Sequence, residues 1–174
     1  MRLIIRAALH SDFGAIQRIY SHYVLNGLAS FELIPPDQAE LLGRWQLIKD
    51  RGHPYLVAEL GGTLAAYAYA STYRQRPAYN YTLENSVYVS HEHLGQGVGK
   101  HILDALIEKC TNLGFRQMIA VIGDLNNHPS INLHLKCGFE RVGVLPSTGL
   151  KHGRWVDSVL MQRSLGDGDK TLPS

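Results

Sequence analysis

Gly95, Gly97 and Gly99 stand at alternate positions between the apolar run Val87-Tyr88-Val89 and a set at helical spacing, Val98, Ile102, Ala105 and Leu106. That pattern predicts a strand, a tight loop and a helix. A helix N-terminus presents unpaired backbone N–H groups and the positive end of the helix dipole, so it attracts phosphate oxygens. Glycines there leave the backbone bare enough to close around such a group. A plain glycine-rich connection would share the spacing, so neighbouring residues must decide. Gly99-Lys100 is followed by His101 rather than Ser or Thr, which removes the lysine and Mg²⁺-ligand pattern of a nucleoside triphosphatase. A dinucleotide fingerprint would place its third glycine three residues after the second and sit in the first strand-to-helix turn, whereas this loop lies past mid-chain. The better fit is a pyrophosphate held mainly by main-chain amides, as in coenzyme A. Leu94, Gly95, Gln96, Gly97, Val98, Gly99 and Lys100 are then the cofactor loop.

The elements that position this loop can be read in order. Leu3 to Ala7 predicts a first strand, and Ser11-Asp12 caps a helix whose apolar face is Phe13, Ile16, Ile19, Tyr20, Tyr23 and Val24, ending at Asn26-Gly27. An unusually apolar connection, Leu28 to Ile34, leads to Pro35-Pro36-Asp37 and a second helix reaching about Lys49. Tyr55 to Leu60 and Thr63 to Tyr73 form a hairpin about Gly61-Gly62. A polar and aromatic link, Arg74 to Tyr81, enters the strand Thr82 to Ser90. The helix after the glycines runs to Leu113-Gly114, a fifth strand spans Gln117 to Ile122, and a short helix begins at Ser130 and ends at Cys137-Gly138. Phe139 to Leu145 and Trp155 to Gln162 are the last strands, with Thr148 to Gly153 looped between them. The order predicts an α+β fold: one domain over residues 1–163, with a mixed, mostly antiparallel central sheet flanked by helices. Residues 164–174, polar with Gly and Pro, are expected to be a disordered tail.

Composition narrows the function. The chain has 174 residues, 45% apolar and 18% charged, enough for one well-buried core. A formal charge of +2 with scattered basic residues gives no electrostatic footprint for nucleic acid. Two cysteines, Cys110 and Cys137, are too few for a disulfide framework or a cysteine zinc site and are expected as buried free thiols. The apolar run at Leu3 to Ile5 is too short for a signal peptide, and no stretch is long enough to span a bilayer, so a cytoplasmic setting without membrane attachment is expected. His91 and His93 flank Glu92, but no third ligand accompanies them, so no metal is expected.

Asn127-x-x-Ser130-x-x-Leu133-His134-x-x-x-Gly138-Phe139 follows the strand, glycine loop and helix. Together these resemble the GCN5-related N-acetyltransferases. Ser30-Phe31-Glu32, Glu84-Asn85-Ser86-Val87-Tyr88-Val89, Ser130-Ile131-Asn132-Leu133-His134 and Lys151-His152-Gly153-Arg154-Trp155-Val156-Asp157 resemble blocks of the phosphinothricin and methionine sulfoximine acetyltransferase branch. Only the tail falls outside the resemblance. It implies the GNAT fold, acetyl-CoA as co-substrate, a small amino-acid-like amine as acceptor and a homodimer. In one respect the chain departs from the superfamily: Leu94 stands where the loop usually begins with Gln or Arg, leaving His93, Gln96 and Lys100 as nearby polar supports.

Acetyl transfer needs a neutral amine, a polarised thioester carbonyl and a proton for the leaving thiolate. Glu84 is the proposed base, with Tyr79, Tyr81 and Tyr88 expected around it to raise its pKa; a solvated strand-end glutamate is the alternative. The resemblance puts His134 where the superfamily commonly has a tyrosine acid, although a lone helical histidine can equally be structural. Backbone amides where the two central strands diverge, at positions the sequence does not name, would polarise the carbonyl, and Val87, Tyr88 and Val89 are counted with the cofactor residues. Asn127 either holds the pantetheine arm or caps the helix at Ser130, itself counted with the cofactor residues. Arg74 and Arg76, set among Tyr73, Tyr79 and Tyr81, would clamp a carboxylate or phosphinate or else be solvated, while Phe31 and Glu32 bring the apolar segment over the acceptor. Two other readings share the fold: an acetyltransferase of protein N-termini or lysines, and a catalytically silent acetyl-CoA sensor.

Overall fold

The computed structural model describes residues 2–173. Seven strands form one sheet: β1 (Leu3–Ala7), β2 (Tyr55–Leu60), β3 (Thr63–Thr72), β4 (Thr82–Val89), β5 (Gln117–Gly123), β6 (Glu140–Lys151) and β7 (Arg154–Ser164), in the order β1-β2-β3-β4-β5-β7-β6. Only β4 and β5 run parallel, because α3 (Val98–Asn112) crosses between them. Helices α1 (Phe13–Asn26) and α2 (Gln38–Asp50) cover one face; α3 and α4 (His128–Lys136) cover the other.

Period-two alternation sorts the side chains between these layers. On β3, Ala66, Ala68 and Ala70 face α3 and let Ile102, Leu103 and Leu106 approach closely, while Tyr67 and Tyr69 face α1 and α2. Phe13, Ile16 and Val24 of α1 are fully buried against Tyr55, Val57 and Tyr67. Cys110 and Cys137 are buried free thiols, and burial pushes each up to about 12.

Three predicted boundaries change. β6 continues to Lys151 instead of stopping at Leu145, so only His152 and Gly153, both at positive φ (50° and 72°), turn the hairpin. The polar stretch reads as a loop because its register slips between Leu145 and Gly149. The slip is braced by the Asp157 carboxylate, which accepts from Ser147 N–H at 2.8 Å, and by the Thr148 and Ser158 hydroxyls at 2.7 Å. α4 starts at His128, two residues early, since Asn127 accepts from Ser130 N–H at 3.3 Å and Pro129 fits a first turn. The segment after Ser164, expected to be disordered, is tied down over its described length. Leu165 is fully buried, and the Arg116 guanidinium donates to Gly168 O, Thr171 Oγ1 and Leu172 O at 3.0–3.2 Å. Ser174 lies outside the described residues.

Candidate active site

The parallel pairing of β4 with β5 stops at Asn85–Ala120, and beyond it the strands part. The gap exposes strand edges that have no ladder partner there, lined by Ser86, Val87 and Tyr88 on one side and Val121, Ile122 and Gly123 on the other. An extended amide-bearing chain can pair with such edges as an added strand does. Asn127, Ser130 and His134 of the α4 region and Ala29 of the apolar connection complete the lining. The structure therefore brings Val87, Tyr88, Asn127, Ser130 and His134 together in one cleft.

At the far end of β4, Tyr23 of α1 donates to Val89 O at 2.6 Å and fixes where the strand stops. The chain then makes a turn at His91–His93 and the glycine loop. Gly95 and Gly97 have φ of 75° and 77°, a conformation costly to any other L-residue. Gly97 caps α3 and passes directly into the helical Val98, which turns successive N–H groups toward one concavity suited to an anion. Gly99 is needed for a different reason: a Cβ there would meet Val89 Cγ2 at 3.2 Å and Leu133 Cδ2 at 3.4 Å, so its bareness sets how closely α3 packs on β4 and α4. Nothing lies within 4 Å of a Cβ built on Gly95, so the loop is open to a ligand. Lys100 is drawn along the helix to Asp104 at 2.6 Å, Gln96 donates to Glu92 O at 3.4 Å, and Leu94 is exposed. The loop's anion-holding capacity thus resides in its backbone.

Glu84 and Asn85 are adjacent on β4 and face opposite sides of the sheet. Asn85 is buried on the α3/α4 side and meets His134: Asn85 Nδ2 lies 2.9 Å from His134 Nε2, and His134 Nδ1 lies 2.8 Å from Ser130 O. Burial lowers the His134 pKa, with the Ser130 carbonyl opposing that shift in part. Glu84 is half-buried on the α1/α2 side, opposite Ser71 in the β3 register, and desolvation raises its pKa. The tyrosines expected around it differ. Tyr79 packs edge-on against Tyr73, Tyr81 is exposed and Tyr88 packs against Tyr20 and Tyr67, whereas Tyr69, from the neighbouring strand, has its pKa raised first by burial, with a smaller contribution from the Glu84 charge. Strand pairing supplies that neighbour, so no local sequence signal announces it.

Ser71, the strand partner of Glu84, lines a groove of about 470 Å³ together with Arg44, Tyr69, Tyr73 and Arg74; Glu84 itself does not line it. Arg74 stacks on the Tyr73 and Tyr79 rings at 5.2 and 5.9 Å, keeping a guanidinium at the groove's edge. Arg76 is exposed at the start of the Pro77–Tyr79 turn and does not line this groove. The Phe31 ring lies over the backbone of Gly149 and of Gly123, a residue of the strand cleft, and does not line the groove. Glu32 does not present a free carboxylate. Arg44 grips both its oxygens at 2.6 and 3.0 Å and Tyr20 donates to it, so Arg44 first and then Tyr20 hold its pKa down against burial. Lys151, buried at the hairpin tip, donates to Ser30 O at 2.6 Å. Tyr20, Arg44 and Lys151 thus moor the Ser30-Phe31-Glu32 segment from three elements. A lysine in a polar turn motif gives no sequence sign that it will be buried.

Among the described residues, no group of three or more His, Cys, Asp or Glu could hold a metal, and no helix is long and apolar enough to cross a membrane. The bare glycine loop and the parted parallel strands are the features expected of an acyltransferase that takes its acyl group from coenzyme A. The chain belongs to the GNAT acetyltransferase family, whose model matches residues 16–139. It is 51% identical over 169 residues to the phosphinothricin N-acetyltransferase of Alcaligenes faecalis, covering 97% of this chain and 86% of that protein. With the L-methionine sulfoximine/L-methionine sulfone acetyltransferase of Salmonella typhimurium it shares 35% identity over 95% of this chain and 96% of that one. Its fold matches the crystal structure of a GNAT phosphinothricin acetyltransferase from Sinorhizobium meliloti in complex with acetyl-CoA. The TM-score is 0.95 and the identity 48%, over 100% of this chain and 94% of that one. The chain is an acetyl-CoA-dependent N-acetyltransferase.

Proposed function

We propose that the acceptor is a small amino acid of the phosphinothricin or methionine sulfoximine type, acetylated on its amino group with Glu84 as base. The observation that carries this reading is Glu84 itself: a half-buried carboxylate with its pKa raised by desolvation, paired across the sheet with Ser71 of a groove that has an arginine at its edge. Such a group takes a proton near neutral pH more readily than an exposed glutamate. Two relatives of high coverage are named for acceptors of this kind.

Acetyl-CoA supplies an acetyl group already activated as a thioester. The glycine loop backbone would hold its pyrophosphate, and the edges of β4 and β5, with Asn127 and Ser130, its pantetheine arm. Glu84 takes the proton of the acceptor's ammonium, directly or through water. The freed amine forms the C–N bond as the C–S bond breaks, with main-chain N–H groups near Val87 to Val89 facing the carbonyl oxygen. The acetylated nitrogen sheds its second proton and the sulfur receives one, for which His134 is the proposed carrier. Arg74 would bind the acceptor's carboxylate or phosphinate, and Phe31 would cover its side chain. The molecule works in the cytoplasm as a homodimer. Leu33, Ile34, Leu150 and Trp155 are 58–81% exposed, an apolar surface that a second copy would bury.

Turnover of acetyl-CoA with phosphinothricin, methionine sulfoximine, aminoglycosides and peptides tests the acceptor class. Preference for peptides would favour the protein-acetylating reading, and tight acetyl-CoA binding with no turnover would favour a sensor. Light scattering on a size-exclusion column should give twice 19.4 kDa, and an active monomer would remove the dimer.

A further inference from the structure

The pair formed by Asn85 and His134 fixes a protonation state that neither residue fixes alone. A carbonyl oxygen only accepts, so the 2.8 Å contact with Ser130 O requires the proton on His134 Nδ1. In a neutral ring Nε2 is then a lone pair, and at 2.9 Å its partner must be the amide N–H of Asn85. The opposite amide orientation would aim Oδ1 at Nε2 and demand a second ring proton, making an imidazolium 4% exposed among uncharged neighbours. Around the ring stand Asn85 from β4, Ala120 and Ile122 from β5, Ser130 from its own helix and the Phe139 ring, edge-on at 5.0 Å. The charged groups nearby on packed elements, Lys100 and Asp104 of α3 and Arg163 of β7, bear on Cys137 instead, and Glu84 is on the other face of the sheet. Asn85 Oδ1, meanwhile, is buried without any partner. Such an acceptor is costly to leave unpaired, so a reason for keeping it is needed.

We propose that Asn85 is a positioning residue that holds His134 in the neutral Nδ1–H tautomer and, by turning its amide, offers the idle Oδ1 when Nε2 gains a proton. His134 in the resting enzyme therefore has a lone pair and no proton at Nε2. It can protonate a leaving sulfur only after taking a proton during the same turnover, and Asn85 stabilises both states. The proton arriving at Nε2 is the one the acceptor nitrogen sheds as the amide forms; it makes the ring an imidazolium, facing the turned Asn85 Oδ1, until it passes to the leaving sulfur and the ring is neutral again. For its kinetic consequence alone the proposal rests on acetyl transfer through this cleft.

The test is ¹⁵N NMR of the histidine rings in the whole labelled protein, with His134→Gln identifying one resonance pair among the nine histidines. The wild type near neutral pH should show His134 protonated at Nδ1 and bare at Nε2. Asn85→Asp replaces the donor by a carboxylate, so Nε2 should acquire a proton and the ring's titration midpoint should rise by about one to two pH units. The acid limb of the kcat profile should move up with it. A wild-type His134 carrying its proton on Nε2, or charged at neutral pH, overturns the proposal and needs no variant. So does a folded Asn85→Asp protein whose His134 titrates as in the wild type. Because the NMR result does not depend on turnover, failure to find an acceptor would count against the functional reading and not against this one.

Discussion

Glu84→Gln should make the protein slower and more stable at once. The carboxylate is half-buried, is given no hydrogen-bond donor by the surrounding side chains, and has its pKa raised by desolvation alone. With the folded pKa above the ordinary value of 4.5, the native state holds the proton more tightly than the unfolded chain. Stability therefore falls as pH rises from the ordinary glutamate range through the folded pKa, and the full penalty is present above it. Each pH unit of elevation corresponds to about 1.36 kcal/mol. Since solvent still reaches part of the side chain, a gain on the order of 1 kcal/mol for the uncharged isostere is the reasonable expectation at pH 7. In a domain of this size that is about 2–4 °C in Tm. The gain should vanish near pH 4, where both states are protonated. Loss of a general base should lower kcat/KM by about 10²–10⁴-fold, with partial recovery at high pH as more acceptor is already deprotonated. Thermal unfolding at pH 4 and 7, beside a pH–rate profile, provides the measurement. A variant destabilised at pH 7 with wild-type kinetics would refute both the burial argument and the catalytic role.

Gly97→Ala strains a left-handed backbone at φ 77°, so calorimetry should show weaker acetyl-CoA binding together with a loss of about 1–2 kcal/mol in unfolding free energy. Gly149→Ala would place its Cβ 2.5–2.9 Å from three atoms of the Phe31 ring and push the ring outward; steady-state kinetics should show a raised acceptor KM with the acetyl-CoA KM little changed. Asp12 is buried and held below the usual carboxylate range, first by the Arg6 guanidinium at 2.7 and 2.8 Å and then by Leu9 N–H. Asp12→Asn should therefore cost about 1–3 kcal/mol at neutral pH by urea titration, with the difference closing as pH falls through the depressed pKa and the wild type loses its charge.

Periodicity and glycine placement carried much of this molecule. The alternation Ala66-Tyr67-Ala68-Tyr69-Ala70 already separates a small-residue face from an aromatic one, and Gly61-Gly62 at positive φ makes the hairpin that the pattern predicts. The strand, glycine loop and helix are local features, each set by residues within a few positions of one another, so this turn from β4 into α3 was legible from its own segment. The chemistry around it was less so. Glu84 and Asn85 are consecutive in the chain, yet strand alternation sends one to the face of Tyr69 and the other to His134, 49 residues away. Lys151 lies in a polar turn motif, but folding buries it against Ser30, 121 residues earlier. The tail looked free by composition; it is fixed by Arg116, which no residue near Leu165 to Leu172 in sequence could reveal. A sequence sets secondary structure through local sterics and patterning. Desolvation, tautomer and hydrogen-bond partners depend on which distant atoms fill the space around a group, and only the folded sheet with its four helices decides that.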